Sequence, residues 1–355
     1  QPDVHILGMG GEMMRAAGVE IVYDIADLGV MGLVEIVKSL PKLFRLRDML
    51  REIMIKERPD VLVVIDYPGF NMRLAKVAKE LGIPVVSYIS PSAWAWGRGR
   101  AKEVAETVDR VAAIFPFEAD VYRQAGANVT FVGHPLIDIV KPTMAKEEAY
   151  RYFSADPNRP LVLLMPGSRK QEIEKLLPDM LSAAEKIQSS LPECQFFIPV
   201  ASTISREMLH TIISSYQVSV ELTSGRVYDL MQIADVAIAT SGTATLETSL
   251  LNIPTIITYK AATLTYWLAK FLVKIPYIGL PNIIAGRQIV PELLQDEANA
   301  ENIAGQAIDI LSNVTRREKI LADLAEVRQK LGESGAVSRV AKVILEVAAD
   351  NHGGK

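Results

Sequence analysis

Residues 165–169 read MPGSR, and residues 239–247 read ATSGTATLE. Each stretch follows an apolar run typical of a buried strand, LVLLM at 161–165 or DVAIA at 235–239, and each leads into a segment of helical character. Small residues and backbone N–H groups therefore converge where strands end and helices begin, and this geometry binds phosphate in open α/β sheets. Together the two stretches predict a nucleotide-diphosphate site.

The first stretch carries a cation for the phosphates. Gly167 and Ser168 form a turn at the strand end. The guanidinium of Arg169, which follows the turn, is a planar fork that matches phosphate oxygens and stays charged at any relevant pH. Arg169 is therefore predicted to stabilise a diphosphate. The alternative is a surface ion pair between Arg169 and Glu172 or Asp179.

The second stretch supplies hydrogen-bond donors and one carboxylate. Ser241, Gly242 and Thr243 offer backbone N–H groups and hydroxyls to a diphosphate at the start of a helix. Glu247 lies about one helical turn further on, where it is placed to accept hydrogen bonds from a ribose. The alternative for Ser241 and Thr243 is helix capping alone, which is compatible with phosphate binding.

Length and composition indicate a globular protein of two domains. The chain has 355 residues, and this length exceeds what one hydrophobic core usually holds. Hydrophobic residues make up 49% of the chain and charged residues 23%. A net charge of −4 gives no bulk attraction to nucleic acid, so no nucleic-acid partner is predicted. Cys194 is the only cysteine, which fits a reducing, cytoplasmic compartment. No apolar run reaches the roughly 18 residues of a membrane-spanning helix.

Strand-like and helix-like segments alternate along the chain. The strand-like runs are apolar and rich in Val and Ile, as buried parallel strands are. They lie at 4–7, 61–65, 84–88, 110–114, 129–132, 160–165, 195–200, 218–222, 235–239 and 254–258. The alternation predicts an α/β fold of two doubly wound, Rossmann-like domains followed by C-terminal helices.

Residues 132–153 separate the two halves of the pattern. Pro135 and Pro142 interrupt regular structure there, so the hinge is predicted within 140–160. We expect an N-terminal domain at 1–150, a C-terminal domain at 151–330, and a helix and tail at 331–355. That last part either crosses back to the first domain or pairs with another subunit. Because a strand-like run begins almost at once, we also expect a preceding strand and helix of the N-terminal domain to be missing.

Seven motifs occur in order along the chain. They are IDYPGFN at 65–71, SPSAWAWGRGR at 90–100, PFE at 116–118, GHP at 133–135, MPGSR at 165–169, ATSGTATLE at 239–247 and LPNIIAGR at 280–287. With this set the chain resembles the bacterial lipid-A-disaccharide synthase family, from about Gly8 to about residue 340.

The resemblance implies a GT-B-type glycosyltransferase with two Rossmann-like domains that face each other across a cleft. The implied reaction joins UDP-2,3-diacylglucosamine to 2,3-diacylglucosamine 1-phosphate, inverts the anomeric centre, and gives a β(1→6) disaccharide and UDP. It is a step of lipid A biosynthesis in Gram-negative bacteria. No cofactor and no metal site are expected. The family's N-terminal strand and Gly/Ser/Asp-rich turn are not among these residues, so the acceptor-side assignments are incomplete.

An inverting transfer needs a base for the attacking hydroxyl and a partner for the departing diphosphate. Asp66 ends the run VLVVI and precedes YPG, which places its carboxylate at the carboxyl edge of a sheet. Asp66 is the predicted base, and Arg169 is the predicted partner of the diphosphate. The alternative is that Asp66 only caps the turn before a helix near Asn71.

The resemblance adds further candidates. Asn282 and Arg287 join the nucleotide-binding set by family match. His134, in the GHP motif, is a candidate substrate contact, with a structural role as the alternative. Either Arg98 or Arg100 is expected to meet the acceptor 1-phosphate, with no choice between them.

Residues 30–58 combine apolar and basic side chains in a helix-like pattern in which Pro41 is expected to kink or break the element. One apolar face is predicted to bind acyl chains and to dock on a membrane, because both implied substrates are acylated. It comprises Val34, Val37, Leu40, Leu43 and Phe44. The alternative is ordinary packing of a helix onto the sheet.

The expected partners are a UDP-sugar donor, an acylated sugar-phosphate acceptor and, peripherally, the inner-membrane lipid on its cytoplasmic side. A homodimer is left open. Two other classes compete with this interpretation. An enzyme acting on a soluble UDP-sugar, such as a UDP-N-acetylglucosamine 2-epimerase, would not need the amphipathic apolar segment, and a non-catalytic nucleotide or lipid carrier would not need a base at Asp66.

Overall fold

The computed structural model describes residues 4–28, 33–93, 98–261 and 276–353, and the side chains of 27, 28, 33–40, 98, 352 and 353 lie outside it. Its strands form sheets of two, four and six strands. All pairings between neighbouring strands are parallel. Helices connect the strands, as the alternating sequence pattern predicts.

The first half of the chain contains two of these sheets. Its strands are β1 (Leu7–Gly10), β2 (Glu20–Asp24), β3 (Leu62–Ile65), β4 (Val85–Tyr88), β5 (Arg110–Ala113) and β6 (Val129–Phe131). Its helices are α1 (Glu12–Ala16), α2 (Leu33–Glu57), α3 (Pro68–Glu80), α4 (Arg98–Thr107), α5 (Pro116–Gln124) and α6 (Leu136–Ile139), with a 3-10 turn at Ile25–Leu28. The first sheet pairs β1 with β2, and the second has the order β3-β4-β5-β6.

The second half forms the six-stranded sheet. Its strands are β7 (Leu161–Met165), β8 (Gln195–Pro199), β9 (Val220–Thr223), β10 (Val236–Thr240), β11 (Thr255–Tyr259) and β12 (Glu292–Leu294). Its helices are α7 (Lys146–Tyr152), α8 (Lys170–Ser190), α9 (Arg206–Ile213), α10 (Val227–Met231), α11 (Thr243–Leu250) and α12 (Leu280–Ala285), with a 3-10 turn at Gln295–Glu297. The strand order is β9-β8-β7-β10-β11-β12. This is the Rossmann order, in which the direction of winding reverses between the first and fourth strands, here β7 and β10.

Three helices follow the last strand: α13 (Ala300–Ser312), α14 (Val314–Lys330) and α15 (Ala336–Gly353). Of these, α15 contacts β4 and β5 of the four-stranded sheet. Asp138 accepts hydrogen bonds from the backbone N–H groups of Gly335 (2.8 Å) and Ala336 (3.0 Å) at the start of α15. The last helix therefore crosses back to the first half of the chain. The residue limits of the domains stay a prediction.

The structure differs from the sequence-based expectations in four elements. The pattern did not predict β2 or β12, which are only partly buried. The predicted strand at 4–7 begins only at Leu7. Pro41 does not end its element, because α2 continues on both sides of it. Within the described residues, no helix combines the length and the apolar character needed to cross a bilayer.

A buried carboxylate ties the segment that joins the two larger sheets to α10. Asp229 is 2% exposed and accepts hydrogen bonds from the backbone N–H of Thr143 (2.6 Å), the hydroxyl of Thr143 (2.8 Å) and the backbone N–H of Met144 (2.8 Å). Burial alone would raise the pKa of Asp229, but these hydrogen bonds outweigh it and lower the pKa below its usual value.

Replacing Asp229 with alanine is predicted to destabilise the protein. The Asp229→Ala substitution leaves the N–H groups of Thr143 and Met144 without their acceptor, so we expect the free energy of unfolding to fall by about 2 to 4 kcal/mol. Urea denaturation at pH 7 measures it. The control is Asp120→Ala, whose exposed carboxylate pairs only with Arg123 at 3.0 Å and should change stability by less than about 0.5 kcal/mol. Equal effects of the two substitutions would contradict the prediction.

Candidate active site

The two sequence stretches that predict a nucleotide site leave the six-stranded sheet side by side. β7 and β10 are hydrogen-bonded neighbours, and Met165 pairs with Ala239 at their carboxyl ends. The turns of residues 166–169 and 241–242 therefore start from adjacent strands at the point where the winding of the sheet reverses. In open α/β sheets this crevice is where ligands bind.

The turn after β7 is built around Glu172. Gly167 has a φ of +120°, and a Cβ at this position would lie 2.4 Å from Oε2 of Glu172, so only glycine fits. The backbone N–H of Ser168 donates to the same carboxylate oxygen at 3.2 Å. Thr203 donates its hydroxyl to the carbonyl of Ser168 at 2.7 Å. These contacts hold the turn in one conformation before any ligand binds.

Arg169 is paired with Glu172 in this structure. Its Nη1 donates to Oε1 of Glu172 at 2.6 Å, while its side chain remains 76% exposed. The alternative ion pair is therefore present with Glu172, whereas Asp179 pairs with Lys260 at 2.5 Å. An ion pair this exposed contributes little stability, so a phosphate can replace the carboxylate at small cost.

The turn after β10 leaves the start of α11 uncapped by side chains. Gly242 is the N-cap residue, and as a glycine it has no side chain that could cap the first turn of the helix. Ser241 instead donates its hydroxyl to the carbonyl of Ile278 at 3.1 Å. Capping by Ser241 or Thr243 is therefore not what the structure shows. The backbone N–H groups of a first helical turn point along the helix axis toward its N-terminus, where an anion can bind, and here the N–H of Thr245 also contacts the carbonyl of Gly242 at 3.2 Å.

Glu247 is the carboxylate nearest this helix start along the chain. It is partly buried, and its Oε1 accepts a hydrogen bond from the hydroxyl of Tyr228 at 3.0 Å. Burial raises the pKa of Glu247, and the hydrogen bond from Tyr228 opposes that rise. Sequence reasoning missed Tyr228. The signal available was its position just after the SGR turn that follows β9, at the same edge of the sheet.

Asp66 lies at the carboxyl end of β3 with its side chain exposed. Asp66 and Tyr67 both have left-handed backbone conformations, with φ values of +51° and +44°. Asn71 secures this turn, because its amide donates to the carbonyls of Ile65 at 3.0 Å and Asp66 at 2.6 Å. The N-cap residue of α3 is Tyr67, without a side-chain hydrogen bond, so Asp66 does not cap the helix. Two consecutive strained non-glycine residues are typical of functional sites.

Glu118, in the PFE motif, is a second carboxylate near the carboxyl edge of the four-stranded sheet. It is 2% exposed, accepts a hydrogen bond from the backbone N–H of Ile114 at 3.2 Å, and has a pKa that burial raises to about 7. A carboxylate this enclosed cannot reach an incoming hydroxyl. Glu118 therefore serves the start of α5, and the exposed Asp66 remains the predicted base.

His134 is buried within the protein. Its Nδ1 accepts a hydrogen bond from the backbone N–H of Leu136 at 3.2 Å, and its ring centre lies 5.0 Å from that of Phe115. Burial lowers the pKa of His134 to about 4, so the ring is neutral at physiological pH. These contacts favour the structural alternative over substrate binding.

Asn282 and Arg287, which were assigned to the nucleotide site by family match, have side chains that contact other parts of the protein. Asn282 is fully buried; its Oδ1 accepts from the N–H of Ile289 at 2.7 Å, and its Nδ2 donates to Glu292 at 2.7 Å. Its polar atoms are thus occupied by protein groups, and the structure gives it a structural role. Arg287 points to α14, where it pairs with Asp323 and Glu326, each at 2.8 Å. Both side chains are bonded to protein groups in this structure, and their assignment to the nucleotide site stays a prediction.

The remaining candidates are only partly described. Arg100 is exposed on α4, and the side chain of Arg98 lies outside the described residues. The same holds for the side chains of Val34, Val37 and Leu40. Within the described residues, no cluster of His, Cys, Asp and Glu is suited to a metal ion.

Of the predicted membrane face on α2, only Leu43 and Phe44 have described side chains. Leu43 is only 9% exposed and packs in the core with Leu46 and Leu50, which favours ordinary helix packing at this position. Phe44, its neighbour, is 44% exposed. The guanidinium carbon of Arg47 lies 5.2 Å from the centre of the Phe44 ring, and α3 contributes a second arginine at 5.9 Å. The helix therefore packs on the core and also exposes an aromatic ring among cations.

Solved structures of other proteins share this fold. A UDP-GlcNAc 2-epimerase from Neisseria meningitidis matches with a TM-score of 0.65 at 13% identity, over 97% of this chain and 100% of its own. A spinosyn forosaminyltransferase matches with a TM-score of 0.54 at 16% identity, over 96% and 91% of the two chains. The predicted fold class, a GT-B-like pair of Rossmann-like units with C-terminal helices, is confirmed.

Sequence comparison identifies the family. The lipid-A-disaccharide synthetase family model matches residues 1–347. A lipid-A-disaccharide synthase from Geobacter sulfurreducens is 43% identical over 346 residues, which cover 98% of this chain and 90% of the relative. The chain belongs to the lipid-A-disaccharide synthase family. It is a glycosyltransferase that takes a UDP-sugar donor and a sugar acceptor, and the predicted class of enzyme is confirmed.

The burial of His134 predicts a pH dependence of stability. An unfolded imidazole has a pKa near 6.5, whereas the folded value is about 4. Between these values the unfolded chain binds a proton that the native protein does not, so stability is lost as the pH falls. We expect His134 to account for a loss of about 2 kcal/mol between pH 7 and pH 5 in urea denaturation.

The matched substitutions are His134→Gln and His210→Gln, since His210 is exposed on α9. The first should flatten the pH dependence of the unfolding free energy over this interval, and the second should leave it as in the wild type. A His134→Gln protein that kept the full wild-type slope would show that another group takes up the proton.

Proposed function

We propose that this chain joins UDP-2,3-diacylglucosamine to 2,3-diacylglucosamine 1-phosphate and releases UDP, with Asp66 as the base and Arg169 beside the leaving group. The observation that carries the proposal is the pairing of Met165 with Ala239, which brings two phosphate-binding turns together at the winding reversal of a Rossmann sheet. Family membership supports the choice of substrates.

On the donor side, the groups present match the parts of a nucleotide diphosphate. Two positive elements, the first-turn N–H groups of α11 and the guanidinium of Arg169, meet the phosphate charge that grows as UDP departs. Gly167 and Ser168 supply the rigid turn from which Arg169 projects. Glu247 takes the ribose hydroxyls with the carboxylate oxygen that Tyr228 leaves free.

On the acceptor side, Asp66 takes the proton of the attacking 6-hydroxyl. The hydroxyl oxygen forms a bond to C1 of the donor sugar on the face opposite the diphosphate, and the bond from C1 to the diphosphate breaks. The electron pair of that bond leaves with UDP, and the proton passes to the carboxylate of Asp66. Attack from the opposite face inverts C1, and no cofactor is consumed.

We also infer that Phe44 and its flanking arginines contact the membrane from which the acylated substrates come. An exposed aromatic ring partitions into the interface of a bilayer, and cations beside it favour anionic head groups. The chain would then act peripherally on the cytoplasmic side of the inner membrane. A homodimer stays the open alternative to a single chain.

The substitution Asp66→Asn tests the proposed base. We expect turnover to fall about 100- to 10,000-fold because asparagine cannot accept the proton, while UDP affinity stays within about twofold. Turnover is measured by mass spectrometry of the disaccharide and by release of UDP from the two acylated substrates. Disaccharide formation also separates this function from an epimerase, which would rearrange a soluble UDP-sugar without joining two sugars.

The control for Asp66 is Asp120→Asn, because Asp120 is an aspartate of the same half with a 66% exposed side chain. It should keep wild-type turnover within about twofold. Wild-type turnover in the Asp66→Asn protein would remove Asp66 from the mechanism, and failure of the wild type to form a disaccharide would overturn the proposed reaction.

The substitution Phe44→Ser tests the membrane contact. Removing the exposed ring should weaken binding to vesicles of phosphatidylethanolamine and phosphatidylglycerol by about 5- to 30-fold, from the apolar area lost. Vesicle sedimentation measures it. Val314→Ser is the control, because Val314 is 67% exposed on α14 in the other half of the chain. If both proteins sediment with vesicles like the wild type, Phe44 is not a membrane contact.

A further inference from the structure

Tyr228 makes the hydrogen bond that fixes the orientation of Glu247. Its hydroxyl lies 3.0 Å from Oε1 of Glu247, and the two residues come from different helices, α10 and α11. Each helix follows a different strand, β9 or β10. The bond therefore bridges two separate turns at the carboxyl edge of the six-stranded sheet.

The hydrogen bond divides the carboxylate into two unlike oxygens. A carboxylate accepts several hydrogen bonds, and its torsion is loosely restrained unless a donor holds it. With Oε1 engaged by Tyr228, rotation of the Glu247 side chain breaks an existing bond. Oε2 is then held in one direction, and a ligand hydroxyl can donate to it there. Burial raises the pKa of Tyr228 to about 12, so the hydroxyl keeps its proton and remains a donor at neutral pH.

Tyr228 is itself held in place from the other side. The next residue, Asp229, is buried and accepts three hydrogen bonds from Thr143 and Met144. The ring of Tyr228 packs against the core that contains Leu246. The position of the tyrosine is thus determined by contacts that do not involve Glu247, as a positioning group requires.

We propose that Tyr228 is a positioning residue that directs the Glu247 carboxylate to the ribose hydroxyls of a bound nucleotide, an inference that rests on the function proposed above. A ribose diol donates two hydrogen bonds to a carboxylate only when the carboxylate is suitably oriented. Loss of the tyrosine hydroxyl should therefore weaken recognition of the ribose and leave recognition of the diphosphate as it was.

The test compares two probes, UDP and 2′,3′-dideoxyuridine 5′-diphosphate, by calorimetric titration of the full chain. Their affinity ratio reports the ribose hydroxyls alone. In the wild type we expect UDP to bind about 10- to 100-fold more tightly, as hydrogen bonds to a charged group imply. In Tyr228→Phe the ratio should fall by about 5- to 10-fold, while the affinity for the dideoxy probe stays within about twofold.

Two further variants separate the outcomes. Tyr150→Phe is the matched control, because its hydroxyl contacts the carbonyl of Ile233 at 3.5 Å in the same half of the chain, and it should keep the wild-type ratio. Glu247→Gln should lower the ratio. If Glu247→Gln leaves the ratio unchanged, the ribose contact in the proposed function fails. If it lowers the ratio but Tyr228→Phe does not, only the positioning role fails.

An equal loss of affinity for both probes in Tyr228→Phe would also overturn the positioning role, because it would show general damage to the site. Thermal melting checks that the variant is folded. Tyr228→Met removes the hydroxyl with a different side-chain shape, and it takes the place of the phenylalanine variant if that protein does not fold. It is judged by the same ratio and the same limits.

Discussion

The backbone ladder between β7 and β10 is the constraint on which the candidate site depends. Four residue pairs, from Val162 with Val236 to Met165 with Ala239, align the two strands in parallel. The side chains of Val162, Leu164, Val236 and Ile238 pack in one core, and those of Leu161, Leu163 and Ala237 pack in another, so slippage by one residue would exchange the side chains of two packed faces. The turns that follow therefore start at a separation and height that their own residues do not determine.

The two turns that follow β7 and β10 differ in the contacts that fix their conformations. The turn after β7 is braced by protein contacts, with Glu172 bonded to both Ser168 and Arg169. The turn after β10 has a glycine, Gly242, at the N-cap of α11, so the N-cap residue supplies no side-chain acceptor. Part of the site is thus shaped in advance and part is left unsatisfied for a ligand. Such preorganised donors cost little reorganisation when charge develops on a leaving group.

The sequence predicted the parallel sheets well because each buried parallel strand corresponds to a local apolar run, and the sequence contains ten such runs. It missed β2, which is only partly buried and has an acidic residue at each end, and β12, which is only three residues long. It also placed Asn282 and Arg287 in the nucleotide site, although their side chains turn to Glu292 and to α14. Orientation of this kind is set by tertiary partners and leaves no local pattern.

The amphipathic segment shows the same limit. Its apolar residues were too widely spread for the sequence to tell the core side from the outer side, and of two neighbours Leu43 proved to be buried and Phe44 exposed. The role of Tyr228 was not predicted because its hydrogen-bond partner, Glu247, is on another helix. The sequence predicted residues whose roles depend on their neighbours along the chain. It did not predict residues whose roles depend on contacts between separate helices and strands.

The chain passes between the four-stranded and six-stranded sheets twice, once after β6 and once between α14 and α15. The two passages touch, since the backbone N–H of His134 donates to the carbonyl of Leu331 at 3.0 Å. A body joined to another by two adjoining tethers can swing about the line through them, but it cannot twist freely or drift away. Any opening of one sheet relative to the other is thereby restricted to rotation about a single axis through the two connections.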